Sequence, residues 1–132
     1  MAARSKARKQ ALDVLYESDI RKTDPSALLA SRDDDDVREF AKAIVTLVTE
    51  HRAKIDELIA TFARGWDMDR MPTVDRNILR IAIAELIWSP DVPEAVAISE
   101  ALVLAKELST DESAGFIHGL LAHIAPLKTT LA

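Results

Sequence analysis

A short basic cluster at the start of the chain is the first group of side chains that could do binding chemistry. It consists of Arg4, Lys6, Arg8 and Lys9, and no acidic residue lies within the first ten positions. The whole chain has 17 basic and 22 acidic residues and a net charge of -5, so positive charge is concentrated at one end. Such a cluster can neutralise phosphates and release counterions, which gives affinity for nucleic acid. The alternative is an ordinary solubilising terminus, and the sequence alone leaves both open.

Two aromatic side chains could add stacking to such a site. Tyr16 lies on the same side of the first predicted helix as Lys9 and Asp13. Phe116 lies about 100° from the apolar stripe of the last predicted helix, at its edge. A ring at such an edge can stack on an unpaired base, which is worth about 1–3 kcal/mol. Alternatively, both rings widen the apolar stripes of their helices and belong to the core.

The side chains that usually carry catalysis or bind metals are absent or isolated. There is no cysteine, so disulfides and thiolate metal sites are excluded. No glycine-rich nucleotide loop occurs, and the histidines lack the spacing of a helical metal site. The serines have no sequence context that suggests a positioned base. We therefore expect a protein that is not an enzyme and uses neither a metal nor a cofactor.

An acidic run, Asp33 to Asp36, stands between two predicted helices. It is typical of a solvated loop that also stabilises the start of the next helix. A cation site is the alternative, although the run lacks the glycine and the spacing of an EF-hand loop.

The spacing of apolar residues predicts an all-α fold, a compact bundle of about seven helices. The expected helices cover residues 4–21, 25–32 and 37–51, a fourth ending near 64–65, a fifth from 73 to 88, and two more around 96–108 and 112–124. Residues after Pro126 are expected to fray. We expect a single domain, 1–132, with an N-terminal subdomain of about 1–51 and a C-terminal subdomain of about 52–126.

Several residues are expected to fix helix ends. Asp24 and Pro25 suit the start of the second helix, and Gly65 suits the end of the fourth. Ser109, with Glu112 three residues later, is typical of a capping box at the start of the last helix.

The fifth helix carries apolar residues around most of its circumference, which indicates the buried centre of a bundle. Glu85 in that setting must find a partner or hydrogen bonds. The nearest basic residues along the helix, Arg76 and Arg80, lie on partly different faces.

The sequence also predicts a compartment. The N-terminus lacks the apolar core of a signal peptide, and no run approaches the ~18 apolar residues of a membrane span. We expect a cytoplasmic protein without membrane contact.

Several segments, in this order and spacing, resemble the NusB family of bacterial transcription antitermination factors over nearly the full length of the chain. They are ARKQAL with LY (7–12 and 15–16), VDRNILRIA with EL (74–82 and 85–86), DVP (91–93), ISEALVLAK (98–106), and DES with FIHG (111–113 and 116–119). The resemblance implies an all-helical fold of two subdomains. It also implies binding of boxA-type RNA together with the ribosomal protein NusE, and assembly on RNA polymerase with NusA and NusG to suppress premature termination.

The resemblance also implies site residues. Those for RNA are Arg4, Lys6, Arg8, Lys9, Tyr16, Glu112 and Phe116, and those for the protein partner are Asp75, Arg76 and Arg80. Glu112 would moderate RNA affinity by repulsion.

The chain departs from the family in three places. His118 stands where the family usually has Asn, which puts an amide contact in doubt. Ser5 and Ala7 interrupt the basic motif, so we expect weak RNA affinity without the partner. The acidic run at 33–36 has no counterpart in the family.

Two alternatives belong to other classes of protein. NusB-like domains precede the catalytic domain of certain ribosomal RNA cytosine methyltransferases, and that alternative requires a cofactor-binding α/β domain, which we do not expect in these 132 residues. A structural homodimer through the apolar excess of the fifth helix is the other alternative.

Overall fold

The computed structural model describes residues 3–32, 38–63 and 65–132, and within these ranges it is all-helical, as predicted. The seven main helices are α1 (Ala3–Arg21), α2 (Pro25–Ser31), α3 (Glu39–Glu50), α4 (Arg52–Phe62), α5 (Thr73–Trp88), α6 (Glu94–Leu108) and α7 (Asp111–Ile124). Their ends lie within a few residues of the predicted ones. The acidic run at 33–36 lies outside the described residues.

Helix α5 is the centre of the bundle, as its apolar circumference predicts. Its side chains are buried without interruption from Asn77 to Leu86. Helices α1, α3, α4, α6 and α7 all pack against it. Because the chain's own helices cover the apolar excess of α5, this excess does not provide the surface expected for a homodimer. No helix in the described ranges has the length and apolar character needed to cross a membrane.

The turn from α1 to α2 is fixed by backbone geometry. Lys22 adopts φ 54°, in the left-handed region, and the Thr23 amide donates to the Ser18 carbonyl at 3.0 Å. This is the pattern of a Schellman cap, in which glycine usually occupies the left-handed position. Asp24 then caps α2 by accepting from the Ser26 amide at 2.9 Å, with Pro25 in the first turn. The predicted start of α2 is therefore confirmed.

The start of α7 differs from the prediction by one residue. Thr110, not Ser109, is the N-cap, and its hydroxyl accepts from the Ser113 amide at 3.0 Å. The expectation that Ser109 caps this helix is wrong. Ser109 instead donates its hydroxyl hydrogen to the Ser113 hydroxyl at 3.1 Å.

The C-terminal residues are ordered into helix, so the prediction of fraying is wrong. A 3-10 turn, Ala125–Leu127, leads directly into a last turn of helix, α8 (Lys128–Leu131). Lys128 forms an ion pair with Glu94 at 3.0 Å, and Leu131 packs against the core. Apolar packing, which the local sequence does not reveal, stabilises this segment.

Candidate nucleic-acid interface

The first turns of α1 carry three exposed basic side chains, which we call the cationic rim: Arg4, Lys6 and Lys9. Residues on the inner face of the same helix, including Ala7, Ala11 and Leu12, are buried in the core. The 3.6-residue repeat thus separates a packed face from a charged one.

Arg8 does not belong to the rim, which corrects its predicted role as a phosphate ligand. The residue is 2% exposed, and its guanidinium donates to both carboxylate oxygens of Glu85 at 2.8 Å. A second carboxylate, that of Glu100, lies 3.4 Å away. Burial alone would lower the pKa of Arg8, but its hydrogen bond to Glu85 and the charges of both carboxylates raise it. Arg8 is thus the buried partner that Glu85 requires.

The ring of Phe40 on α3 lies beneath two basic side chains of α1. The guanidinium carbon of Arg4 lies 4.4 Å from the centre of this ring, and that of Arg8 lies 5.2 Å from it. Both distances are within the range of a cation–π contact. Helical spacing does not predict this contact, because the two helices meet only in the folded chain.

Two of the three rim cations are paired with carboxylates at the surface. Arg4 lies 3.2 Å from Asp91, and Lys9 pairs with Glu107. Lys6 has no ion pair within the described part of the chain. Exposed pairs of this kind contribute about 0–1 kcal/mol, so they can exchange readily for other anions.

A surface groove of about 430 Å³ begins at Lys9. Its other lining residues are Leu12, Asp13, Tyr16, Pro72, Thr73, Val74 and Leu108. Tyr16 and Leu108 are 43% and 42% exposed, although both are large and apolar. The structure therefore brings Lys9, Asp13 and Tyr16 together on one side of α1, as their helical spacing predicts.

Phe116 lies in a second, aromatic surface on α7. The ring is half-buried and meets Trp66 edge to face, with ring centres 4.5 Å apart. Phe62 and His123 form a similar pair at 5.0 Å, and the exposed Gly115 lies in the same shallow trough of about 260 Å³.

The ring of Phe116 is thus neither fully exposed nor sealed in the core. Glu112 is exposed one turn before it on α7. Trp66, in the connection that follows α4, is the aromatic neighbour of Phe116 on this surface.

The residues predicted to face a protein partner lie largely inside the molecule. Asp75 is 0% exposed and accepts from the Ser113 hydroxyl at 2.6 Å. Arg80 is 4% exposed and donates to Asp19 at 2.7 Å and to Asp56 at 2.8 Å. The second carboxylate oxygen of Asp75 is buried without a hydrogen-bond partner in the described part of the chain. Neither Asp75 nor Arg80 is exposed to a partner's surface.

Arg76 has an intermediate position. It is half-buried, and its guanidinium donates to the Met68 carbonyl at 3.0 Å. Its Nε atom lies 3.4 Å from Asp19. Arg76 thus fastens the connection between α4 and α5 and has only a small exposed area for a partner.

Asp19 is the centre of a polar network that the spacing of residues along the chain does not predict. It accepts from Asn77 at 2.9 Å and lies 3.1 Å from Arg52 as well as 2.7 Å from Arg80. Burial alone would raise the pKa of Asp19, but the hydrogen bond from Asn77 and the two arginine charges lower it. The network joins α1, α4 and α5, which are remote in sequence.

A metal centre has no basis in the described residues. No group of three or more His, Asp or Glu side chains is placed there so that it could hold an ion.

Comparison with known proteins places the chain among bacterial transcription proteins. The NusB family matches residues 5–126. A transcription antitermination protein NusB from Acidothermus cellulolyticus is 53% identical over 134 residues, which cover 99% of this chain and 92% of the relative. The structure of T. maritima NusB superposes with a TM-score of 0.85 at 31% identity, covering 95% of this chain and 92% of that one.

One similar structure contains other molecules. It is a crystal structure of the antitermination factors NusB and NusE in complex with double-stranded RNA. It matches with a TM-score of 0.80 and 29% identity, over 93% of this chain and 96% of that one. Sequence and fold agree over nearly the whole chain, which therefore belongs to the NusB family.

Proposed function

We propose that this chain is an RNA-binding transcription antitermination adaptor. It binds boxA-type RNA together with NusE and suppresses premature termination of ribosomal RNA transcription. The observation that carries the proposal is the cationic rim, which is exposed on a chain of net charge -5. An acidic protein that keeps exposed cations at one end has a local attraction for phosphates despite its overall charge.

In this mechanism the rim binds the RNA backbone and aromatic rings add base contacts. Arg4, Lys6 and Lys9 neutralise phosphates, which gives affinity without reading sequence. The half-buried ring of Phe116 stacks on an unpaired base. Glu112, exposed one turn before it, weakens RNA binding by repulsion. Tyr16 lies beside Lys9 in the groove and contacts RNA or the partner at that edge.

We propose that NusE binds next to the rim, at the groove between α1, the start of α5 and the end of α6. The exposed Tyr16 and Leu108 provide apolar area there, and Lys9 belongs to both surfaces. This arrangement lets one partner complete the RNA site, which fits the sparse basic motif of α1. The complex acts on RNA polymerase with NusA and NusG, and this chain contributes binding rather than catalysis.

The test is a titration with a boxA-like RNA, a scrambled RNA and a duplex of the same sequence. Each is measured with and without NusE at two salt concentrations. We expect boxA-like RNA to bind more tightly than scrambled RNA when NusE is present, with affinity falling as salt rises. Equal binding of all three RNAs, unaffected by NusE, would contradict the proposed function.

A further inference from the structure

The paired state of the rim leads to a further inference, which rests on the proposed function. We propose that Asp91 and Glu107 are built-in competitors of RNA: they occupy Arg4 and Lys9 in the free protein and are displaced by phosphates on binding. RNA binding at the rim is then an exchange of one anion for another.

Both carboxylates can separate from their basic partners without disturbing the fold. The side chains of Arg4 and Asp91 are 51% and 66% exposed, and those of Lys9 and Glu107 are 46% and 38% exposed. Water and salt therefore reach both pairs, which keeps each one weak.

The fold does not need these two pairs to hold α1 in place. The buried ion pair of Arg8 with Glu85 already ties α1 to α5. Ser5 also donates to Glu100, which ties α1 to α6. The surface carboxylates therefore mainly set how available the rim cations are.

Exchange changes the salt dependence as well as the affinity. A free cation that binds a phosphate contributes a full share to counterion release. A cation taken from a carboxylate contributes less, because the freed carboxylate attracts a counterion of its own. Lys6 has no ion pair in the described residues, so it is the rim cation from which a full share is expected.

The experiment compares Asp91→Asn, Glu107→Gln and the double variant with the unaltered protein, in the presence of NusE. The probes are boxA-like RNA and a short heparin oligosaccharide. We expect each substitution to raise affinity for both probes about 1.5- to 5-fold, the range that follows from the usual strength of an exposed pair. The dependence on salt should also become steeper.

Matched variants show whether a gain in affinity comes from freeing a rim cation or from a general loss of negative charge. Glu94→Gln removes the same charge from α6, but Glu94 pairs with Lys128 and not with the rim. We expect it to have less effect than Asp91→Asn. In an Arg4→Ala background, Asp91→Asn should lose its advantage, and Glu107→Gln should do so in a Lys9→Ala background.

Equal gains from all three carboxylate substitutions, or gains that persist without Arg4 and Lys9, would overturn the exchange. If no RNA binds even with NusE, the proposed function fails, while heparin still decides whether the carboxylates mask the rim. Heparin affinity that does not change on Asp91→Asn and Glu107→Gln would overturn the inference in that case also.

Discussion

Arg8 and Glu85 show how one buried ion pair determines the role of a basic residue. The two side chains are 3% and 1% exposed and form two hydrogen bonds of 2.8 Å. Removing one member of such a pair leaves an uncompensated charge in the core, which costs far more than the pair contributes. The rim residues beside it carry the same charge but face water.

We predict that Arg8→Met lowers the free energy of unfolding by about 3–5 kcal/mol, because Glu85 loses its partner. Lys6→Met, two residues earlier on the exposed face, should change it by less than about 0.5 kcal/mol. Urea denaturation measures both. Adding Glu85→Leu to Arg8→Met should recover much of the loss. An Arg8→Met protein as stable as the Lys6→Met protein would contradict the buried pair.

Asp19 gives a prediction of pH dependence. Its pKa is lowered in the folded state, so its contribution to stability is complete above the pKa of the unfolded chain and is lost as pH falls through the folded value. We expect Asp19→Asn to cost about 1.5–3 kcal/mol at neutral pH, with the difference shrinking below about pH 4.

Denaturation of both proteins from about pH 2 to about pH 7, which spans the titration of Asp, measures this difference. Asp69→Asn, at an exposed position, is the control and should differ little at any pH. A cost that stays constant down to the lowest pH would contradict the ion pairs of Asp19.

The burial of Arg8 could be predicted in part from the sequence. Arg8 precedes Ala11, Leu12 and Leu15 by three, four and seven residues, so helical spacing already places it on the apolar stripe. Glu85 was expected to need a partner. What periodicity cannot supply is the pairing of two helices 77 residues apart, and the rim therefore seemed to have four members instead of three.

At the scale of elements, the end of α1 carries strain that a substitution can relieve. Lys22 holds φ 54°, a region that costs an L-residue about 1–2 kcal/mol. We predict that Lys22→Gly raises the free energy of unfolding by about 0.5–1 kcal/mol, after the greater freedom of glycine in the unfolded chain is counted. Lys22→Ala is the control and should bring no gain. Thermal unfolding that shows Lys22→Gly to be no more stable would argue against the left-handed cap.

The start of α7 offers a test between two neighbouring hydroxyl groups. Thr110 caps the helix, so Thr110→Ala should cost about 1 kcal/mol. Ser109→Ala removes only a bond between hydroxyls and should cost less. Chemical denaturation compares the two, and a larger cost for Ser109→Ala would restore the capping box expected from the sequence.

The sequence predicts elements better than it predicts their ends and contacts. Apolar spacing placed all seven main helices, because each must bury one face. The predicted cap of α7 differs from the observed one by one residue. Ser109 and Thr110 are both good caps, and only the backbone conformation decides between them. Helix α8 was missed because Leu131 is ordered by the core and not by its neighbours in sequence.

Across the whole molecule, the basic side chains form two groups, one buried in ion pairs and one exposed at the surface. Ion pairs of Arg8 and Arg80 join α1, α4 and α5 inside the bundle. The cationic rim remains at the surface of α1, continuous with the groove through Lys9. This division gives an acidic chain a local attraction for phosphates at one end, which is the basis of the proposed RNA site.

The most direct test of the account is the salt dependence of boxA-like RNA binding, measured with NusE for the unaltered protein and for the Arg4→Ala, Lys6→Ala, Lys9→Ala triple variant. We predict weaker binding and a flatter plot of log affinity against log salt, by up to roughly 0.7 for each cation that contacts a single-stranded phosphate. The same affinity and the same slope in both proteins would contradict the rim as the RNA site.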